Sequence, residues 1–261
     1  MTTEAYSSML NAGIGMIDEI SALLKLWNPG MSISELNQIA LSSGEFPNIT
    51  ARRLRNFIAE CYGPRYLANG GAPALLLKKL LPIFSSKEFN QLLFLYTCRE
   101  SKVLLDFVRD VYWSAYSAGR NNLSTEDALA FVIRANQDGR TVKQWSESTL
   151  QRVARYLTSS CADFGLLESG QKSVRKILPF RIESSVAVIL GYDLHFSGHG
   201  DNSVLSHLDW ALFGMDRADV LNEFKRLALK GWWIIQSAGD VTRIGWQYSS
   251  MEELINAFTQ G

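Results

Sequence analysis

The segment from Ser146 to Phe180 constrains the fold of this chain most, because its pattern changes from a helical period to a strand period. The stretch LLESGQKSVRKILP alternates around a Ser-Gly-Gln turn, which predicts a β-hairpin. Gly165 precedes this stretch and is suited to end a helix. The apolar residues before Gly165 are spaced by three, one, three, four and three positions, which predicts the buried stripe of one α-helix; they are Leu150, Val153, Ala154, Leu157, Cys161 and Phe164.

The remaining faces of this helix and hairpin are polar and basic. Ser146 or Ser148 can cap the helix, and Ser148, Thr149 and Gln151 are side chains that suit phosphates or base edges. A helix followed by a basic hairpin predicts a winged-helix-like unit that binds nucleic acid. Alternatively, these basic residues only solvate the outer face of an amphipathic helix and bind nothing. The basic residues concerned are Arg152, Arg155, Lys172, Arg175 and Lys176.

A second basic helix is predicted near the N-terminus. Residues 14–27 have a helical apolar period, and Ser32 or Ser34 can cap a second helix that runs to about Leu41. Asn48 or Thr50 then caps a third helix, which we expect to end at Gly63 and Pro64. Three short helices, with basic residues at the start of the third, predict a helix-turn-helix unit. Its candidate DNA contacts are Arg52, Arg53, Arg55 and Asn56.

The charge is unevenly distributed, although the formal net charge of the 261 residues is zero. Residues 1–47 hold one basic and five acidic residues, and residues 183–261 hold five basic and ten acidic ones. Residues 140–182 hold eight basic and three acidic residues, and residues 48–139 hold twelve and eight. Such asymmetry is a better indication of polyanion binding than the total charge.

The rest of the chain is predicted to be mainly helical. Ser86 is favoured as the start of a long helical segment, and Ser124 with Asp127 forms a near capping box. The C-terminal part has a helix, a hairpin around Ser237–Asp240 and a last short helix. The sequence therefore predicts a mainly α fold, a helical bundle with winged-helix-like (helix-turn-helix plus β-hairpin) modules. The expected domains are a helix-turn-helix unit at 1–70, a scaffold with a basic winged-helix-like unit at 71–182, and an acidic helix-plus-hairpin module at 183–261.

Catalytic motifs are not evident, so we expect no enzymatic activity and no cofactor. The sequence has no P-loop and no G-x-S-x-G elbow, and its histidines, His195, His199 and His207, lack metal-ligand spacing. We therefore expect no metal site. Three widely spaced cysteines indicate buried thiols in a reducing cytoplasm. No signal peptide or long apolar run is evident, so we expect a cytoplasmic protein that does not enter the membrane.

Three segments carry a resemblance to a known family. ITARRLRNFIAECYGPRYL, FNQLLFLYTCRESKVLLDFVRDVYWSAY and WSESTLQRVARYLTSSCADFGLLES resemble BrxA, a small helical component of bacterial BREX phage-exclusion systems. The resemblance extends over about residues 10–260 and consists of helix patterns. It implies a core similar to the antitermination factor NusB and a non-enzymatic, DNA-binding role beside a methyltransferase, an ATPase and a phosphatase-like protein. The positions that it carries over are Arg52, Arg53, Arg55, Arg152 and Arg155.

The expected function is binding of duplex DNA, mainly through phosphates, within an anti-phage defence assembly. Its expected partners are duplex DNA and other BREX proteins. Two alternatives remain open at this point. The chain could be a protein–protein adaptor whose basic helices bind acidic partner surfaces, or an RNA-binding factor of NusB type.

Overall fold

The computed structural model describes residues 5–8, 16–238 and 241–260. The chain divides into two compact units, and each unit is built from two separate segments. Met1–Lys78 and Leu93–Phe180 form the first unit, whereas Lys79–Leu92 and Arg181–Gly261 form the second. The units therefore differ from the three consecutive ranges expected from the sequence. The short segment 79–92 joins the C-terminal part of the chain.

The first unit is mainly helical. Its N-terminal part contains three helices that match the predicted helix-turn-helix region, although residues 14 and 15 of the first predicted helix lie outside the described residues. The elements of this unit are α1 (Ile17–Leu26), α2 (Ile33–Ser42), α3 (Ala51–Phe57), α4 (Gly63–Tyr66), α5 (Ala68–Leu80), α6 (Ser86–Glu100), α7 (Lys102–Phe107), α8 (Trp113–Ser117), β1 (Asn122–Ser124), α9 (Thr125–Gln137), α10 (Glu147–Asp163) and β2 (Val174–Lys176). Helices α5 and α6 each run across a boundary between the units.

Side-chain caps fix where several of these helices begin. Ser32 caps α2 in a capping box with Glu35, and Thr50 accepts a hydrogen bond from the Arg53 N–H at the start of α3. Ser124 and Asp127 form the predicted capping box of α9. Each cap satisfies backbone donors that a helix start would otherwise leave unpaired. The helix starts predicted at Thr50 and Ser124 are confirmed.

The third helix does not end at Gly63, so this prediction is wrong. The chain passes from α3 through a π-helical turn, Ile58–Tyr62, into α4 without leaving helical backbone angles. The Gly63 N–H donates to the Ile58 carbonyl, five residues back. Pro64 has no N–H to donate and comes two residues after Tyr62, the last residue of the π turn. The helix tolerates the proline because the turn before it is already wider than an α-helix.

The core of the first unit gathers around aromatic side chains. Phe94 lies 5.5 Å from both Phe164 and Phe180, measured between ring centroids. Phe107 lies 5.6 Å from Phe131. The two Phe94 pairs connect the central helix α6 to the end of α10 and to the segment after the hairpin, so the basic helix is fixed to a packed core.

The second unit is a helix-plus-hairpin module. It contains, besides the residues of α5 and α6 within 79–92, the elements α11 (Ser184–Phe196), α12 (Asp201–Leu205), a 3₁₀ turn (Leu208–Phe213), α13 (Arg217–Ala228), β3 (Trp233–Ala238), β4 (Val241–Trp246) and α14 (Met251–Gln260). Strands β3 and β4 pair antiparallel, as the sequence predicts. Residues 239 and 240 of the predicted turn lie outside the described residues.

Burial of aromatic rings holds the hairpin of this unit in place. Trp233 stacks on Phe224 of α13 at 4.2 Å between ring centroids, and its indole N–H donates to the Phe224 carbonyl at 2.8 Å. Gly191 of α11 permits this packing, because a Cβ there would lie 3.0 Å from Phe224 and 3.3 Å from Trp233. The protein is therefore a mainly α fold with helix-plus-hairpin modules, as expected.

Candidate nucleic-acid interface

The predicted recognition helix and its hairpin belong to a strand–helix–helix–hairpin arrangement in the first unit. Strand β1 leads into α9 and α10, and the chain then returns through β2, which pairs antiparallel with β1. On its other side β2 meets residues 166–168, since the Glu168 N–H donates to the Lys176 carbonyl and the Leu178 N–H to the Leu166 carbonyl, both at 2.9 Å. The hairpin is thus confirmed, and it is extended by β1, a strand before α9 that the sequence pattern does not predict.

The phase of α10 separates a buried stripe from an exposed basic face. Val153, Ala154, Leu157 and Cys161 are buried, as predicted. Gln151, Arg152 and Arg155 are exposed on the other side. Gln151 lies 3.5 Å from the Glu147 carboxylate. Within the described part of the chain, neither Arg152 nor Arg155 has a carboxylate partner, so both guanidinium groups are available to an external anion.

The start of α10 carries hydroxyl groups that are not used for capping. The Ser146 side chain makes no hydrogen bond to the backbone of the helix that it precedes. Its hydroxyl lies instead 3.1 Å from the hydroxyls of Ser148 and Thr149. The first N–H groups of the helix are therefore left without a side-chain cap, which is an arrangement that suits an anion.

Of the three basic residues of the hairpin that are predicted to contact DNA, two are exposed to solvent. Lys172 and Lys176 are exposed, and Lys172 pairs with Glu168 at 2.9 Å. Arg175 differs from the expectation, since its side chain is only 6% exposed and donates to the Glu168 carbonyl at 2.9 Å. The reason is the strand period of two, which turns Arg175 inward between two exposed neighbours. The structure therefore gives Arg175 a buried position, apart from the basic surface.

Helix α3 exposes all four of its predicted contact residues. Leu54 and Phe57 are buried, and the other faces carry Arg52, Arg53, Arg55 and Asn56. The Arg55 Nε donates to the Ala51 carbonyl at 3.2 Å, which lays this side chain along the helix. Arg53 reaches the Met16 sulfur at 3.8 Å. Both basic helices lie in the first unit, which holds 18 basic and 15 acidic residues, against 8 and 11 in the second.

The histidines of the second unit take part in packing and capping. His195 stacks on Trp246 at 4.3 Å between ring centroids, and burial lowers its pKa, which favours the neutral imidazole. His207 accepts a hydrogen bond from the Asp209 N–H at the start of the 3₁₀ turn. The His199 ring lies 4.8 Å from the His207 ring. Among the described residues, no group of three or more His, Cys, Asp or Glu side chains is arranged to hold a metal ion.

Cys61, Cys98 and Cys161 are buried thiols that form no disulfide, as predicted. Burial raises the pKa of the Cys61 thiol to about 11 and also raises that of Cys161. None of the helices in the described ranges combines the length and apolar character that a membrane span requires.

Comparison with known proteins identifies a family. A crystal structure of an uncharacterized protein from Magnetospirillum magneticum shares the fold with a TM-score of 0.58 and 16% sequence identity, over 74% of this chain and 95% of that chain. No curated protein matches the sequence. A family model named BrxA matches residues 4–191, which include the helix-turn-helix region and the whole basic hairpin. The chain therefore belongs to the BrxA family.

Proposed function

We propose that this protein is a non-enzymatic, DNA-binding component of a bacterial BREX defence system and that it acts in the cytoplasm. Membership of the BrxA family supports a role beside the other proteins of such a system. The observation that carries the DNA-binding proposal is the exposed face of α10, where Arg152 and Arg155 have no carboxylate partner within the described residues.

The arrangement around α10 supports docking on a duplex. An α-helix fits the major groove of B-DNA, and a hairpin beside such a helix can reach the neighbouring backbone. In this proposal, Arg152 and Arg155 pair with phosphates through their planar guanidinium groups, while Lys172 and Lys176 contact phosphates from the hairpin. Ser148 and Thr149 donate from the helix start, and Gln151 is the side chain placed to contact a base edge.

Helix α3 supplies a second basic surface in the same proposal. Arg52, Arg53 and Arg55 contact phosphates, and Asn56 is suited to the edge of an adenine. The bulk of the affinity then comes from charge, with few contacts that could select a sequence. We therefore expect modest sequence preference.

The salt dependence of binding tests this function. Binding is measured by fluorescence anisotropy with a labelled duplex over a range of salt concentrations. The logarithm of the association constant should fall linearly with the logarithm of the salt concentration, with a slope of about −0.9 for each phosphate contacted. Single-stranded DNA and RNA of the same sequence are the comparison arms. Tighter binding to RNA than to the duplex would favour the RNA-binding alternative. A complete lack of duplex binding at low salt would exclude the proposal.

Charge reversal at single residues tests the surface itself. Arg152→Glu and Arg53→Glu should each weaken duplex binding. Each should also make the salt dependence of the association constant less steep, by the amount that one phosphate contact contributes. Lys225→Glu is the matched control, because Lys225 is also exposed but lies on α13 of the acidic second unit. We expect this control to bind DNA like the unchanged protein. Equal losses in all three variants would point to an effect of net charge alone and would contradict the assigned surface.

A protein–protein adaptor is the second candidate, and the second unit favours it. This unit is acidic and exposes large apolar side chains, with Leu229 91% and Val241 58% exposed. Exposed apolar side chains mark a protein-binding region where they are contiguous. The two functions are compatible, since the DNA-binding residues all lie in the first unit and the exposed apolar residues named here lie in the second.

A further inference from the structure

A cleft in the first unit lies apart from the basic face of α10. It has a volume of about 420 Å³, which falls in the range of pockets for small organic ligands. One wall is the helical segment from Asp110 to Ala118, and the other is α9 with the residues that flank it. The lining includes two aspartates, three arginines, three alanines and Phe131.

The two acidic residues of the cleft are already neutralised. The Arg120 guanidinium donates to both carboxylate oxygens of Asp127, at 3.1 and 2.9 Å. Partial burial opposes the charge on Asp127, but the Arg120 and Ser124 donors outweigh it and hold the pKa of this carboxyl below its ordinary value. Asp110 is likewise bonded by Arg109, at 2.6 and 2.9 Å. Each carboxylate is therefore already paired with one arginine, and neither balances the charge of another cation in the cleft.

Two guanidinium groups of the cleft keep free capacity. Arg134 is exposed, and among the described residues its guanidinium group has no hydrogen-bond or ion-pair partner. Arg140 lies over the rings of Tyr6 and Phe131 and donates to the Tyr6 hydroxyl at 3.1 Å. Its closest carboxylate, Asp138, is 3.8 Å away, and its buried Nε has no partner. Two such cations complement a doubly charged anion.

The cleft is larger and less polar than a site for a bare anion. Small side chains on both walls leave the space open, namely Ala115 and Ala118 on one side and Ala130 on the other. Phe131 is mostly buried, and the 8% of its surface that is exposed adds apolar atoms beside Arg140. A ligand with a planar or apolar body would cover these atoms while its charged end reaches the arginines.

A π-helical turn, Val108–Tyr112, forms part of the wall. In the described part of the chain, the other π turn has Pro64 two residues after its end, whereas no proline lies within this turn or in the two residues that follow it. Proline therefore does not account for the wider turn. Isolated π turns are often found at functional sites, where they change the direction of side chains along a helix.

We propose that this cleft binds a phosphate monoester attached to a body of nucleotide size. Arg134 and Arg140 hold the phosphate, which carries close to two negative charges at neutral pH. The body rests on Phe131 and the three alanines. Such a group could come from a free mononucleotide or from the 5′-phosphorylated end of a strand, and the site is distinct from the duplex surface on α10.

Isothermal titration with the full-length protein tests the ligand class. Adenosine 5′-monophosphate should bind more tightly than inorganic phosphate or adenosine, because only the whole molecule fills both parts of the cleft. A short single strand with a 5′-phosphate, compared with the same strand without it, reports on the second source. Failure of both phosphorylated probes, or equal affinity for inorganic phosphate, would overturn the proposal.

Two variants locate the binding in the cleft. Arg134→Gln removes a guanidinium without a partner in the described chain, and Ala130→Phe fills the space without a change of charge; each should weaken binding of the phosphorylated probe by on the order of tenfold or more. Both positions are exposed, and a thermal melt confirms that each variant is folded. Arg152→Gln is the control, which should weaken duplex binding and leave the affinity for the monophosphate unchanged. Unchanged affinity in both cleft variants would assign the ligand elsewhere and overturn the proposal.

Discussion

Neighbouring basic residues on the hairpin have different physical roles. Arg175 and Lys176 are adjacent in sequence, yet only Lys176 is exposed, and Arg175 is bonded to the Glu168 carbonyl. A partly buried hydrogen bond from a charged donor, together with the packed stem of the side chain, stabilises the fold. An exposed lysine contributes little to stability but remains available to a phosphate.

We expect opposite effects from alanine at these two positions. Arg175→Ala should lower the free energy of unfolding by about 2 kcal/mol, because it takes the guanidinium donor away from the partly buried Glu168 carbonyl and removes packed atoms. Lys176→Ala should change stability by no more than about 0.5 kcal/mol but should weaken duplex binding. Urea unfolding and anisotropy on the same samples measure both quantities. A stable Arg175→Ala variant that has lost DNA binding would reverse the assignment.

At the scale of elements, the turn before the main part of α5 shows how a close approach sets the sequence. Asn69, Gly70 and Gly71 all have positive φ angles, and Gly71 is packed against the buried ring of Trp27. A Cβ on Gly71 would lie 2.6 and 2.7 Å from ring carbons, whereas a Cβ on Gly70 would meet nothing within 4 Å. The two glycines thus share a conformation and differ in the space around them.

Alanine at each glycine separates these two contributions. Gly70→Ala should cost about 1 kcal/mol, the strain of a left-handed conformation for an L-residue. Gly71→Ala should cost about 1–3 kcal/mol more, since the ring of Trp27 must also move within a packed core. Chemical unfolding of both variants provides the comparison. Equal losses of stability would show that the ring adapts freely.

The positions of helices and caps could be predicted from the sequence, because caps and apolar periods are local signals. Thr50, Ser124 and Gly165 have the predicted roles at helix ends. The start of α6 is set by Ser85 with Glu88 in place of Ser86, because the acid three residues after the serine decides which serine caps. Strand β1 could not be predicted from the sequence, because a segment of three residues is too short to show a strand period. Its partner β2 also lies about fifty residues later in the chain.

The candidate site could be predicted in part. The exposed face of α10 follows from the helical period, which assigns Arg152 and Arg155 to the side opposite Leu157. The inward direction of Arg175 depends on the register of β2 with β1, which only the fold sets. The cleft beside α9 depends on residues that are distant in sequence, such as Ala115 and Arg140, and no local pattern indicates it.

At the scale of the whole molecule, the second unit depends on a segment that comes long before it in the chain. The Gln91 side-chain amide donates to the Arg181 carbonyl at 2.7 Å and accepts from the Glu183 N–H at 2.8 Å. Phe84 packs against Phe258 at 5.4 Å between ring centroids. Contacts of this kind are why the predicted division into consecutive domains differs from the compact units, because a single sequence does not indicate which distant segments meet.

A fragment experiment tests this dependence. Residues 181–261 alone should unfold at a lower temperature than the same residues joined to 79–92 by a flexible linker, because the added segment restores the contacts of Phe84 and Gln91. Circular dichroism melts of the two fragments, with a linked version carrying Phe84→Ala as control, measure the difference. Identical melting temperatures would show that 79–92 adds no stability to the second unit.

The interleaved segments also set an order of events on the ribosome. Phe89 and Leu92 are buried in the finished protein, but they are translated roughly ninety residues before Arg181, where the main part of their unit begins. At a synthesis rate of about 5–20 residues per second, these apolar side chains wait for several seconds or longer before the rest of their unit exists. The nascent chain therefore passes through a stage in which the first unit can be complete while this apolar segment is still open to chaperones or to another nascent chain.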